Sequence, residues 1–165
     1  MTGKDSLQEK AKQKAFRLLA VRARSEKELK SKLKEKGFDE AIVGEVTARL
    51  RELKFLDDRS FAGQWARNLG VNRLLGDRRI TLSLREKGIP PPLIEEAIAG
   101  LRGEISETEA MMSWVRKKVK SQSIAKMDVG DKRRLAASLM GKGFPPDLIF
   151  NMLNRSKEEF VNEGE

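Results

Sequence analysis

The stretch SEKELKSKLKEKGF (residues 25–38) returns as GDRRITLSLREKGI (76–89) and as DKRRLAASLMGKGF (131–144), in register and without gaps. Leu29, Ile80 and Leu135 each stand eight residues before a glycine, and Leu33, Leu84 and Leu139 stand four before it. An apolar pair at i and i+4 occupies one face of a helix. Lys36, Lys87 and Lys142 place a cation at the negative end of that helix's dipole, and Gly37, Gly88 and Gly143 follow where the chain must turn left-handed. The spacing predicts one helix and one stop, three times, with all three glycines in left-handed conformation.

Beyond each stop the match continues through Phe38, Ile89 and Phe144, then Ile42-Val43, Leu93-Ile94 and Leu148-Ile149, then Val46, Ala97 and Met152, which predicts a second helix. The glycines are 51 and 55 residues apart, more than a helix pair needs, so each unit carries a further helix upstream. The fold expected is all-α, three tandem three-helix repeats forming an elongated, curved array. The repeats span residues 1–56, 57–104 and 105–156, with an acidic tail at 157–165. Modules this small bury little surface alone and share apolar faces with their neighbours.

Taken in order, residues 1–8 are polar and read as frayed. A basic helix runs from about Gln8 to Arg24, and Ser25 with Glu28 forms a capping box for the next. The third helix runs from Asp39 to Leu53, and Phe55 and Leu56 are placed to pin one repeat to the next. Asp57 or Asp58 caps a helix bearing Phe61, Ala62 and Trp65. NLGVNRLLGDRR (68–79) is helix, turn or both. Prolines 90–92 and 145–146 suit helix first turns. Ser106 with Glu109 gives a second capping box, ahead of a helix with Met111, Trp114 and Val115 inside and Arg116, Lys117, Lys118 and Lys120 outside. SQSIAKMDVGD (121–131) reads as a loop, Asp131 as the cap of the third signature helix, and Asp147 to Arg155 as the last helix.

Charged residues make up 36% of the chain and aromatics 5%, the balance of a solvated helical protein. Net charge is +9, from 34 Lys and Arg against 25 Asp and Glu, and the excess is spread along the repeats. Such a surface favours a polyanion or a partner that carries one. There is no Cys, His or Tyr, which removes disulfides, thiolate sites, the commonest general base and the commonest zinc ligand. The pairs Asp57-Asp58, Glu95-Glu96 and Glu158-Glu159 lie at helix starts or in the tail, where capping accounts for them. No Gly-rich phosphate loop occurs. No enzyme, cofactor or metal is expected. With no long apolar run and no signal peptide, the expected location is the cytoplasm, and the expected state a monomer.

Lys30, Lys32, Lys34 and Lys36 alternate with Glu26, Glu28 and Glu35, the pattern of a solvated face. Arg78-Arg79 and Arg133-Arg134 stand at matched positions read as first turns, where arginine opposes the helix dipole at a cost of some tenths of a kcal/mol. A phosphate or an acidic protein surface would offset that cost. These four, with Arg116, Lys117, Lys118, Lys120 and the N-terminal Arg22 and Arg24, are the candidate contacts for DNA or a protein partner. Trp65 and Trp114 share faces with Phe61, Ala62 and Met111, which favours core packing over base stacking.

The phrases Leu33 to Phe38, Leu56 to Ala62 and Gly76 to Ile89 resemble signatures of the RecX family of bacterial recombination regulators, within a likeness over about residues 11–155 that is stronger in the first two repeats. The resemblance implies an all-helical protein that binds the RecA recombinase, lies in its filament groove and chiefly inhibits filament assembly on single-stranded DNA, with consequences for recombination, repair and the SOS response. It also implies DNA binding, single-stranded with duplex as a second candidate. The family's motif residues read as structural here: Gly37, Gly88, Gly143, Asp57, Asp58, Phe61 and Trp65. The competing roles are a stand-alone helical DNA-binding protein and a scaffold whose charge serves solubility. DNA binding driven by charge alone fades with salt, whereas a filament regulator binds the filament far better than bare DNA.

Overall fold

Capping side chains decide where the helices begin. In the computed structural model, which describes residues 2–119 and 123–162, with side chains as far as Arg155, Thr2 and Asp5 form a capping box that opens α1 (Gly3–Val21). Ser25 and Glu28 open α2 (Glu26–Glu35) in the same way, and Asp39 opens α3 (Glu40–Glu52) by accepting the Ile42 amide at 2.9 Å. Asp57 accepts the Ser60 amide at 3.1 Å ahead of α4 (Asp58–Arg67), which runs on into a π-helical turn, Asn68–Asn72. Then come α5 (Asp77–Glu86), α6 (Pro91–Glu104) and α7 (Glu107–Val119), the last opened by the Ser106–Glu109 box. A 3-10 turn, Ile124–Lys126, precedes α8 (Val129–Gly141) and α9 (Pro146–Asn162). No strand occurs among the described residues.

The signature stops are as expected. Gly37, Gly88 and Gly143 have φ of 92°, 77° and 92°. Phe38, Ile89 and Phe144 each return an amide to the carbonyl of Leu33, Leu84 or Leu139, at 3.3, 3.0 and 3.2 Å. That bond satisfies a carbonyl the helix end would otherwise orphan. α3 closes by the same pattern on a non-glycine residue: Lys54 has φ 60°, and the Phe55 amide reaches the Leu50 carbonyl at 2.9 Å.

By packing, the chain forms two compact units, residues 1–64 with 84–97 and residues 65–83 with 98–165, so the middle repeat contributes to both. In the first unit Ala11 and Ala15 of α1, Leu29 and Leu33 of α2, and Ile42, Val43, Val46 and Leu50 of α3 form one buried cluster with Leu56. In the second, Ala110, Met111 and Val115 of α7 meet Leu135 and Leu139 of α8, Ile149 and Met152 of α9, Leu74 and Phe144. The i, i+4 leucines of the signature helix are core in both units, because that face is the one their spacing makes continuous.

Several boundaries differ from the sequence expectation. Residues 3–8 are helical rather than frayed: besides the Thr2–Asp5 box, Lys4 pairs with Glu45 of α3 at 3.3 Å and Gln8 hydrogen-bonds the same carboxylate. α1 ends at Val21, so Arg22 and Arg24 lie in the link to α2. Phe55 and Leu56, placed between repeats by the sequence, make contacts within the first repeat. Phe55 meets Phe16 of α1 edge-on, ring centroids 5.0 Å apart, and Leu56 enters the first unit's core. Asp131 is not the cap of α8. Asp128 is, accepting the Asp131 amide at 2.7 Å, and the helix starts three residues earlier than a cap at Asp131 would place it. The loop expected at 121–131 is therefore shorter at its C-terminal end, while residues 121–122 lie outside the described residues. α9 continues to Asn162, well past Arg155 into the acidic tail, since no helix breaker intervenes before Gly164.

Candidate nucleic-acid and partner interface

Many cations of the first unit are answered by acids of the same unit. Lys30 lies 3.1 Å from Glu26, Lys32 3.4 Å from Glu35, Lys34 3.1 Å from Glu40, Arg49 3.1 Å from Glu52 and Arg59 2.8 Å from Glu96. Such pairs add little stability in water, but they cancel charge a polyanion would otherwise feel.

The candidate contacts divide on this test. Arg22 pairs with Glu28, and half-buried Arg24 donates to the Leu18 carbonyl at 3.4 Å. Arg134 pairs with Asp131 at 2.7 Å. Arg78, Arg79, Arg116, Lys117, Lys118 and Arg133 are exposed and make no ion pair among the described residues; all six belong to the second unit. Lys120 lies outside the described residues.

The matched-arginine reasoning holds for one copy only. Arg78 and Arg79 are in the first turn of α5, whereas Arg133 and Arg134 are a full turn into α8, because that helix starts at Val129. The unfavourable dipole contact at α5 is also met inside the protein. The end of α8 abuts the start of α5, with the Gly76 amide on the Lys142 carbonyl at 2.8 Å and the Arg78 amide on the Gly143 carbonyl at 3.4 Å. The negative end of one helix thus faces the positive end of another, which offsets part of the cost assigned to an external anion. The side chains of Arg78 and Arg79 remain exposed.

The tryptophans are half-buried. The Trp65 indole donates to Ser83 at 2.9 Å, and Trp114 packs on the second unit's core with the Lys142 ammonium 5.8 Å from its ring centroid. Phe61 and Ala62 beside Trp65 are buried.

One arrangement escaped the sequence reading. Asp58 does not cap its own helix; its carboxylate accepts the Glu26 amide at 2.9 Å, at the start of α2, while Glu26 pairs with Arg51 of α3. The second unit repeats this. Glu107, first residue of α7, accepts the Asp77 amide at 2.9 Å at the start of α5, while Asp77 pairs with Arg102 of α6 at 2.7 Å. In each unit the first acid of one helix caps a neighbouring helix beside an arginine. Burial pushes both Asp58 and Glu107 above their ordinary values, opposed by the amide each accepts. The bond from Arg51 holds Glu26 below its ordinary value. The signal was present: Glu26 and Asp77 stand eleven before a signature glycine, Arg51 and Arg102 fourteen after, and the third copy has Lys132 at the acid's place.

No described helix is long and apolar enough to cross a membrane. Family models for the first, second and third three-helix domains of RecX match residues 11–50, 57–98 and 106–153. The chain is 32% identical over 161 residues to a protein of Mycolicibacterium smegmatis named "Regulatory protein RecX", covering 96% of this chain and 84% of that one. It is 35% identical over 135 residues to a protein of the same name from Chlorobaculum tepidum, covering 82% and 81%. The fold is similar to the crystal structure of RecX from Lactobacillus salivarius, with a TM-score of 0.75 at 21% identity, covering 93% of this chain and 98% of that one. A second RecX crystal structure gives 0.74 at 23% identity, covering 92% and 73%.

Proposed function

This chain belongs to the RecX family of regulatory proteins, and from that premise we propose that it binds the RecA recombinase and its filament on single-stranded DNA and acts chiefly by inhibiting filament assembly. It thereby restrains recombination and the SOS response. The observation that carries this reading is the presence of all three RecX domains in tandem on one chain. Support comes from the second unit's Arg78, Arg79, Arg116, Lys117, Lys118 and Arg133, exposed and without an ion pair among the described residues, which suit a polyanionic filament. The role is regulatory rather than catalytic, requires no cofactor and is performed by a monomer in the cytoplasm.

The test is RecA ATP hydrolysis on single-stranded DNA at fixed salt with increasing amounts of the protein, beside its binding to bare single-stranded and duplex DNA. Inhibition at concentrations that leave bare DNA largely free is the expected result. Equal binding to DNA with and without RecA, and no inhibition, would favour a stand-alone DNA-binding protein. Binding to neither would leave a scaffold.

A further inference from the structure

In the second and third repeats a neighbouring helix lies against the turn that ends the signature helix, with Gly143 buried and Gly88 itself still exposed. A Cβ on Gly88 would come within 2.6 Å of the Lys27 side chain, and Lys87 pairs with Glu28 at 3.3 Å. A Cβ on Gly143 would come within 2.5 Å of the Arg79 amide nitrogen, and Lys142 lies against Trp114. What covers each turn is the N-terminal end of a helix, α2 on Gly88 and α5 on Gly143.

The same turn in the first repeat is bare. Nothing lies within 4 Å of a Cβ built on Gly37. Lys36 is exposed with no ion pair among the described residues, and Phe38 is only half-buried, whereas its counterparts Ile89 and Phe144 are 3% and 1% exposed. An open groove sits there, lined by Lys10, Gln13, Lys14 and Arg17 of α1 with Lys36 and Phe38. The α1 residues have the i, i+3, i+4, i+7 spacing of one helix face. Four cations line the groove and no carboxylate does. None of the four has an ion-pair partner among the described residues, although Lys30, Lys32, Lys34, Arg49 and Arg51 of the same repeat all do.

We propose that this groove binds single-stranded nucleic acid, with backbone phosphates on Lys10, Lys14, Arg17 and Lys36 and a base against Phe38. A helix N-terminus covers the two equivalent turns, where the lysine is already engaged by Glu28 or Trp114. Its partial positive charge would be repelled by four free cations. A phosphodiester strand is attracted by those cations and brings an unstacked base for the exposed part of the Phe38 ring. Duplex DNA offers the charge but keeps its bases stacked inside, so a single strand is preferred. The inference rests on the proposed function for the identity of the polyanion and adds to it a DNA contact that does not pass through RecA.

The experiment measures binding of the full chain to a fluorescent oligothymidylate, without RecA, over a range of salt concentrations. One variant neutralises the groove: Lys10→Gln, Lys14→Gln, Arg17→Gln and Lys36→Gln. A control removes equal charge from cations that have acidic partners: Lys32→Gln, Arg49→Gln, Arg59→Gln and Arg67→Gln. The groove variant is expected to bind at least tenfold more weakly, with a log–log salt slope reduced by roughly 0.7 for each phosphate no longer neutralised. The control is expected to keep most of its slope. Phe38→Leu is expected to cost about fivefold or more at unchanged slope. Equal losses in the two charge variants, no loss in the groove variant, or an unaffected Phe38→Leu would each overturn the assignment. If the fourfold groove variant melts early, Lys10→Gln/Arg17→Gln, confined to two exposed side chains, carries the same test with about half the slope change. RecA inhibition is recorded in parallel. Inhibition by a wild type that ignores the oligonucleotide would sink the groove and spare the regulator; groove-dependent binding with RecA unaffected would do the reverse.

Discussion

At the scale of single residues, Asp58 and Glu107 hold unusual positions, because each carboxylate serves the start of a helix other than its own. Burial raises the Asp58 value, so the folded state holds its proton more tightly than the unfolded chain does. Its contribution to stability is fully present below the ordinary 3.8 and is lost as pH rises through the folded-state value. Glu26 has the opposite sign: held down by Arg51, it contributes above the ordinary 4.5 and loses that contribution as pH falls through its folded-state value. A carbon-detected carboxyl titration should therefore place Asp58 above 3.8 and Glu26 below 4.5. Asp58→Asn keeps an acceptor for the Glu26 amide and should melt near the wild type at neutral pH, while Asp58→Ala orphans that amide and should cost about 1 kcal/mol. An Asp58 midpoint at or below the ordinary value would show that burial does not dominate there. Lys54 gives a second residue-scale expectation. With φ 60° and no glycine, it carries steric strain that Lys54→Gly removes. After the flexibility that glycine adds to the unfolded chain, the net gain should be about 0.5 kcal/mol, visible as a rise of about a degree or two in melting temperature. The sequence hid this stop because the usual glycine signal is absent, and only the hydrogen bond from Phe55 to Leu50 exposes it.

At the scale of elements, the signature helices are alike in their stops and unlike in what lies against them. Gly37→Ala meets only backbone strain and should cost about 1 kcal/mol. Gly143→Ala carries the same strain and also drives a methyl into the Arg79 backbone, which cannot swing aside, so a further 1–3 kcal/mol or so is expected. Gly88→Ala should also cost more than Gly37→Ala, because the nearest atom is the Lys27 Cβ, 2.6 Å away and fixed to its own backbone. Thermal melts of the three variants check the order, and equal costs would mean that the turns at Gly88 and Gly143 are not packed as described. Element starts were legible wherever a capping box stood in the sequence, as at Ser25–Glu28 and Ser106–Glu109. They were misplaced at α8, where Asp128 and Asp131 are both plausible caps and only one carboxylate reaches an amide. That three-residue shift is what removed Arg133 and Arg134 from the first turn.

For the whole molecule, charge left unpaired by the protein's own acids is the quantity that matters for a polyanionic partner. Among the described residues the second unit holds six such candidate contacts and the first unit a four-cation groove, so binding to a filament should be a sum over sites rather than the work of one residue. Arg78→Glu with Arg79→Glu should weaken inhibition of RecA partially, as should Arg116→Glu with Lys117→Glu, and the combination should weaken it much more. Folding should survive, since all four side chains are exposed and unpaired among the described residues. The readout is RecA strand exchange at fixed salt with each variant's melt alongside. Full inhibition by a well-folded combined variant would move the contact surface off these residues.

The repeat, its helical class, the left-handed glycines and the apolar faces were all set by local sequence. Each depends on residues within a few positions of one another, where helix geometry and φ preferences operate without reference to the rest of the chain. Tertiary structure alone decided which charges are spent and which are free. Arg22 looked as available as Arg78 until Glu28 was found beside it, and Asp58 looked like an ordinary cap until its carboxylate reached the Glu26 amide 32 residues away. The open turn at Gly37, identical in sequence pattern to two covered ones, belongs to the same class. Pairing and coverage are properties of groups distant in sequence, and a periodicity that repeats three times cannot say which copy is left without a neighbour.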